Sequence, residues 1–273
     1  MATLNVLMYT KGMASGHLSR VNAIYKGFLR EGIKCCFSLI APRSKYLEYL
    51  HSDIELRAVD DPPRNTDIFI CDWKADEFVY SLNCRYSRAW IGLRRLGKIK
   101  STFPDYFHVI AIEPGVKGDT CIWPIISTWR DEMASREEFL QIVGAEPGDR
   151  IALLCENGAY SVHPERILLR NSLDSGMRAI RCSNSPYAQP YRDLDYFPIA
   201  RLFYAADHVM IGAGYNSVHE GLCFVHTDRL TVLYVGGDDQ RQRLRNLGSW
   251  RVKCPGDSQA HLLVRYIVEK ILE

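Results

Sequence analysis

Twice along the chain a short apolar run breaks into a glycine-bearing loop that opens a helix, and this repeated order limits the fold more than any other feature. In the first block residues 4–9 are apolar, residues 10–15 interrupt the run, and apolar side chains then recur at Leu18, Val21, Ile24, Tyr25, Phe28 and Leu29. That is the spacing of one helix face, so residues 16–30 are predicted helical. Gly32 ends the helix and residues 33–40 follow as a second strand. Strand, loop, helix and strand in this order make a βαβ unit, which implies a parallel sheet covered by helices. Residues 67–71, 89–94 and 108–112 read as further short buried strands. The breaker-rich stretch 113–119, with Trp123-Pro124 after it, closes the first block. A short helix at 135–143 leads into the second block. There, strands are predicted at 151–155, 177–181, 208–211 and 231–235. Helices are predicted at 164–173, at 199–206, from Val218, after Gly236-Gly237, and over 260–272. The expected architecture is α/β with two domains, residues 1–122 and 123–273.

With 273 residues, 47% of them hydrophobic, the chain is long enough for two modest cores. A net charge of +2 does not by itself demand a polyanionic partner. No apolar run reaches the length of a membrane span, and residues 1–9 lack the basic region of a secretion signal. Nine cysteines form no CxxC and none stands at a zinc spacing from a histidine. An odd number of cysteines in a core-forming chain fits a reducing compartment, so a cytoplasmic location and no metal site are expected. Cys36, Cys71 and Cys155 lie in apolar runs and read as small buried hydrophobes.

In parallel sheets ligands bind at the carboxyl ends of strands, where the helix N-terminus offers backbone N–H groups and partial positive charge. Three loops lie at such places. The first holds Gly12, Gly16 and His17, with Arg20 one turn later. It is not a GxGxxG, and the second strand does not end in an acid, so a nicotinamide dinucleotide site is poorly supported. A helix N-terminus lowers an imidazole pKa, which suits His17 as a base; the same residue could equally cap or pack against the helix. The second loop, Gly212-Ala213-Gly214-Tyr215-Asn216-Ser217, precedes Glu220. It reads as a diphosphate cradle with a ribose ligand, or as an S-x-x-E capping box over residues 217–220. The third is Gly236-Gly237-Asp238-Asp239-Gln240, whose polar groups could grip sugar hydroxyls or simply complement a helix dipole. The following residues 241–245 read as a solvated basic face.

Together and in this order, these segments resemble the GT-B superfamily of glycosyltransferases. The similar branch contains the lipid-linked N-acetylglucosaminyltransferase of peptidoglycan synthesis and the UDP-sugar hydrolase of pseudaminic acid biosynthesis. Gly12, Gly16, His17 and Arg20 match the first glycine loop; residues 204–211, then Ala213 to Ser217 and Glu220, match the most recognisable segment; Asp239, Gln240 and Gln242 match the acidic/glutamine motif. The resemblance implies two Rossmann-like domains with parallel sheets facing across a cleft. It further implies a nucleotide-sugar donor, usually a UDP-sugar, as substrate and no separate cofactor. Gly212, Gly214, Asn216 and Ser217 would meet the diphosphate, Glu220 the ribose, and Asp239 with Gln240 the sugar. His17 would stand near the anomeric carbon.

The resulting expectation is inverting, metal-independent glycosyl transfer. His17 would act as base, with Gly16, Arg20 and Arg94 on the phosphate or acceptor side. Asp193-Leu194-Asp195 spells DxD in an aromatic, proline-bearing stretch and is read as coincidence. Residues 79–104 contain no acid but include Arg85, Arg88, Arg94, Arg95, Lys98 and Lys100, interleaved with Tyr86 and Trp90. Such a segment fits a phosphate-bearing acceptor, lipid-linked, a polyol phosphate or DNA; it also fits a strand with solvated arginines at its flanks. Two rival readings keep the donor site: a nucleotide-sugar hydrolase and a non-catalytic nucleotide-sugar-binding subunit.

Overall fold

The computed structural model describes residues 3–11, 15–43, 45–63, 65–72, 76, 79, 81–82, 87–97, 103–156, 176–183, 194–234 and 236–272. The chain divides into two compact α/β units, Met1–Ser127 with Ser258–Glu273, and Thr128–Asp257.

In the first unit β1 (Leu4–Tyr9) leads into α1 (Ser15–Arg30) and β2 (Cys35–Ile40). Then follow β3 (Ile54–Leu56), β4 (Ile68–Cys71), β5 (Ala89–Arg94), β6 (His108–Ala111) and β7 (Thr120–Cys121). Among the described residues these strands form one parallel sheet in the order β3-β2-β1-β4-β5-β6-β7. β3 and β7 were not expected, because two or three residues are too few to give a periodic pattern. The sheet grows outwards in both directions from β1 and β4. Their carboxyl ends therefore mark the topological switch point, where open parallel sheets bind ligands. Val6 pairs with Ile68 and Tyr9 with Cys71, so both strands stop level with one another.

The apolar periodicity of α1 is the cause of its seating. Leu18, Val21, Ile24, Tyr25 and Phe28 are buried, whereas Leu29, predicted on the same face, is exposed. The helix stops in a Schellman turn: Gly32 takes φ +67°, its N–H donates to the Leu29 carbonyl, and Ile33 N–H donates to the Phe28 carbonyl. On the other sheet face Leu7, Tyr9, Phe69, Trp90 and Phe107 pack into one aromatic-rich cluster. Cys71 is buried there as expected, but Cys36, near the start of β2, is exposed and Cys155, near the end of β8, is half-buried.

The second unit contains α2 (Arg136–Val143), β8 (Ile151–Glu156), β9 (Arg178–Ser183), β10 (His208–Gly212), α3 (Tyr215–Phe224), β11 (Leu230–Leu233) and α4 (Asp238–Lys253). Its described strands form a parallel sheet in the order β11-β10-β8-β9, with the switch point between β8 and β10. Ser135 caps α2 by accepting from Glu138 N–H, and Gly144 at φ +61° closes it. The helix predicted at 164–173 falls outside the described residues, and 199–206 yields only a 3-10 turn, Ile199–Leu202.

The domain boundary differs from the expected one. α5 (Ala260–Ile267), continued by a π turn over Val268–Leu272, belongs to the first unit rather than the second. The reason is its amphipathic face: Leu263, Val264 and Ile267 are buried, and the helix packs on α1. Ser258 Oγ donates to the Ile126 carbonyl at 2.7 Å, Gln259 N–H to the Pro124 carbonyl at 2.7 Å, and Arg265 forms a bidentate pair with Glu31 at 3.0 Å. Close approach of the two helices needs Gly27, because a Cβ there would lie 2.7 Å from the Ala260 carbonyl oxygen. Gly27→Val should therefore push α5 off α1 and cost about 1–3 kcal/mol of stability. A urea midpoint equal to that of the wild type would show the contact to be slack.

Candidate functional site

Three parallel strands deliver polar groups to one edge of the first sheet. Thr10 follows β1, Asp72 follows β4, and Arg95 follows β5. The ladder fixes their level, with Thr10 N–H donating to the Ile40 carbonyl, Asp72 N–H to that of Tyr9, and Ile112 N–H to that of Arg94. His17, the third residue of α1, stands among them. Its Nδ1 lies 2.9 Å from Asp72 Oδ2 and 3.1 Å from Thr10 Oγ1. Its Nε2 lies 3.2 Å from an Arg95 guanidinium nitrogen. Arg20, one turn along α1, grips the same carboxylate: Nε is 3.0 Å from both oxygens and Nη2 donates to Oδ2 at 2.8 Å. Thr10, His17, Arg20 and Asp72 are all buried.

These partners fix the imidazole tautomer. Asp72 is an acceptor, so it requires the proton on Nδ1; Arg95 is only a donor, so it requires a lone pair on Nε2. Arg20 Nη2 also lies 3.0 Å from Nδ1, but it already donates to Asp72, whereas the opposite tautomer would face Asp72 with a lone pair and Arg95 with an N–H. His17 is thus held neutral with Nε2 as its basic atom. Burial is the main cause lowering its pKa to about 4, with the charges of Arg20 and Arg95 adding to it against the pull of Asp72. The direction matches the expectation from the helix terminus, but desolvation supplies it. For Asp72, burial opposes its charge, yet Arg20, His17 and the hydrogen bonds from both hold its carboxyl well below the usual range.

In the second unit the structure replaces the capping-box reading. α3 opens at Tyr215 rather than Val218, its N-cap is Gly214, and no side chain caps it. Ser217 is consequently inside the first turn and cannot be the cap of a box with Glu220. The register also puts Asn216, Ser217 and Glu220 on one helix face, since positions three and four apart are neighbours. Gly212 ends β10 in register with Leu233, and Ala213 N–H donates to the Leu233 carbonyl. Glu220 is buried, and burial raises its pKa to about 8. Its charge is felt at the thiols of Cys155, near the end of β8, and Cys223.

α4 begins behind Gly236 and Gly237, at φ 137° and 87°, conformations in which a Cβ is strained. Arg243 is fully buried, which corrects the reading of 241–245 as a solvated face. Its guanidinium donates to Asp239 at 2.7 Å and to the Ala213 carbonyl at 3.3 Å. Arg243 therefore ties the loop after β10 to the first turn of α4, and it brings Asp239 and buried Gln240 to the same sheet edge as Gly214.

Among the predicted residues of the first unit, Gly16 and His17 lie in the first turn of α1, while Gly12 falls outside the described residues. Arg20 is engaged with buried Asp72 rather than presented to a phosphate. Arg94 donates to the Lys117 carbonyl at 3.0 Å and lies over Phe103, so the arginine reaching His17 is its neighbour Arg95. Arg88 donates to the Leu272 carbonyl and Trp90 is buried in the core, which removes that ring from any stacking surface. Arg85, Tyr86, Lys98 and Lys100 fall outside the described residues, as does Asp193. Sequence reasoning missed Thr10, Asp72 and the buried Glu113, whose carboxylate accepts from Leu96 N–H at 2.7 Å and so anchors the loop of Arg95. An acid immediately after an apolar strand was the available signal for Asp72. Among the described residues no group of three or more His, Cys, Asp or Glu could hold a metal ion, and no helix is long and apolar enough to cross a membrane.

No protein-family model and no curated protein matches the chain. Solved structures do. The glycosyltransferase SsfS6 of Streptomyces sp. SF2575 matches with a TM-score of 0.62 at 10% identity, over 97% of this chain and 100% of its own. That protein has also been solved with thymidine diphosphate, and this form matches with a TM-score of 0.61 at 11% identity, over 97% and 99%. MurG of Acinetobacter baumannii matches with a TM-score of 0.57 at 12% identity, over 98% and 92%. MnaA of S. aureus, solved with UDP, matches with a TM-score of 0.52 at 9% identity, over 98% and 96%. The chain has the GT-B fold, two α/β units with parallel sheets, as its glycine loops suggested.

The buried neutral imidazole makes stability depend on pH with a definite sign. Because the folded pKa of His17 is near 4 and the ordinary value is 6.5, the unfolded chain binds more protons between those limits. Stability thus falls as pH drops through this window, by on the order of 3 kcal/mol from this group. Glu220 acts with the opposite sign between 4.5 and 8, so the comparison must be with His17→Gln rather than with a flat line. In that variant urea midpoints should fall less steeply from pH 6.5 to 4. Parallel curves for the two proteins would mean that His17 is already protonated in the fold.

Proposed function

We propose that this protein is an inverting, metal-independent glycosyltransferase that uses a nucleotide-sugar, a UDP-sugar by preference, and an acceptor bearing negative charge. The observation that carries the reading is the Asp72–His17 pair. A buried carboxylate fixes the Nδ1 proton, and Nε2 is left as a base at the carboxyl ends of the strands. This is the arrangement needed to take a proton from an acceptor hydroxyl as it attacks an anomeric carbon. Thr10 and Arg20 act as positioning residues: Thr10 meets Nδ1, and Arg20 keeps Asp72 ionised.

The second unit supplies the donor side of the proposal. The first turn of α3, with Gly212 and Gly214 before it and Asn216 and Ser217 within it, suits a diphosphate. Backbone N–H groups and the helix dipole would stabilise the charge that develops on the leaving group. Glu220 would bond the ribose hydroxyls; near neutral pH its raised pKa keeps much of it protonated, able to donate as well as accept. Asp239 and Gln240 would meet the sugar, with Arg243 setting the rotamer of Asp239. Solved relatives of the fold carry thymidine diphosphate and UDP, which supports a nucleoside diphosphate as the ligand class.

A thermal-shift series with UDP, other nucleotides and nicotinamide dinucleotides tests the donor side. UDP at one hundred times its Kd should stabilise the protein by about 2.7 kcal/mol. Glu220→Ala should weaken that effect, and stabilisation by a nicotinamide dinucleotide alone would overturn the assignment. With the UDP-sugar giving the largest shift, His17→Gln should lower turnover about 10²–10⁴-fold and leave binding of UDP unchanged. Undiminished turnover in that variant removes His17 from the chemistry.

A further inference from the structure

The contact between Arg95 and His17 has a consequence for the acceptor. A base must have its lone pair available, yet Nε2 of His17 already accepts from the Arg95 guanidinium. Arginine is a permanent donor and cannot pass a proton on or turn into an acceptor. As long as it sits at Nε2, no hydroxyl can deliver its proton there.

We propose that Arg95 masks the basic nitrogen of His17 in the unliganded protein, and that an anionic group on the acceptor draws it off, exposing the base only when the acceptor has arrived. The proposal rests on the reading of His17 as the base and names the acceptor's chemistry. Water or a neutral alcohol gives a guanidinium nothing stronger than the imidazole nitrogen does. Paired anionic oxygens do: they accept two parallel N–H bonds, each charge-assisted and about twice as strong as a neutral one. Arg20 and Asp72 are buried and joined by three contacts of 2.8–3.0 Å, whereas Arg95 is half-buried.

The backbone next to Arg95 is fixed while its side chain spans the distance. Leu96 N–H is held by buried Glu113, and the Arg94 carbonyl is held by Ile112 N–H. The guanidinium is thus carried on a backbone held from both sides. Its departure would place the anionic group beside Nε2, with the hydroxyl of the same molecule next to the nitrogen that Arg95 has left. Water entering without an acceptor would meet a masked base, which suppresses wasteful hydrolysis of the donor. The acceptor class is thus an alcohol carrying a phosphate or carboxylate near its nucleophilic hydroxyl.

The test uses the full chain with ¹⁵N-labelled histidine, the His17 resonances being assigned by their loss in His17→Gln. Glycerol 3-phosphate is the probe, with glycerol and UDP as controls. In the wild type the Nε2 signal should sit at the position of a bonded acceptor and move toward an unbonded one with glycerol 3-phosphate, but not with glycerol. In Arg95→Met it should be unbonded from the start and indifferent to the probe, while the remaining histidine signals stay in place. Identical spectra for the two proteins overturn the masking, and movement caused by UDP alone overturns the acceptor assignment. A second arm follows release of sugar without acceptor from the UDP-sugar that gives the largest thermal shift. Arg95→Met should raise that release about tenfold, the factor one ordinary hydrogen bond is worth. An unchanged or slower release defeats the proposal. If instead His17→Gln turns over like the wild type, it is the base reading that fails, while the spectra still report whether Arg95 occupies Nε2.

Discussion

The carboxylate of Asp72 is the interaction on which the first unit's site depends. It is buried at the end of a central strand, where an unpaired charge would be prohibitive. Arg20 supplies the compensating charge through three contacts of 2.8–3.0 Å, and His17 supplies a further N–H. Losing one partner of such a pair typically costs about 3–5 kcal/mol, because the other charge remains buried and alone. The same carboxylate decides which imidazole nitrogen carries the proton. The residue whose charge the fold must neutralise is therefore also the one that orients His17, and the geometry of His17 cannot loosen without exposing the cost of Asp72.

Both units place polar groups by the same device and then use it differently. Parallel strands that stop level with one another, on either side of a switch point, bring residues distant in sequence to one edge. In the first unit the edge carries side chains: Thr10, Asp72 and Arg95 around His17. In the second it carries backbone, in the form of a helix opened by Gly214 with no side-chain cap. Arg243 does for that edge what Arg20 does for the other. It is fully buried and joins two loops through Asp239 and the Ala213 carbonyl. A buried arginine behind each edge makes rigid what a row of loops alone would leave slack.

The sites were legible in unequal measure. His17, Gly214, Asn216, Ser217 and Glu220 stood out as candidates because they sit in short motifs at a strand-to-helix junction, and the local order of apolar and glycine residues marks such junctions. Choosing between capping box and ligand loop was beyond the sequence, since Ser217 satisfies both patterns; the start of α3 at Tyr215 excludes the box. Arg94 was selected where Arg95 is the residue at His17, because side-chain direction at the end of a strand changes with each residue. The return of α5 to the first unit was also missed. Its amphipathic pattern promised burial but did not name the surface that provides it.

Periodicity and breakers, which act over a few residues, determined the α/β class, most element positions and the glycine loops, because helix and strand spacing are local consequences of backbone geometry. Tertiary structure alone decided which charges meet. Asp72 stands 55 residues from His17, Arg243 stands 30 from Ala213, and α5 finds its partner more than two hundred positions away at Glu31. Such encounters are set by strand order and register rather than by neighbours in the chain. They in turn fix the protonation of His17, which no motif could have revealed.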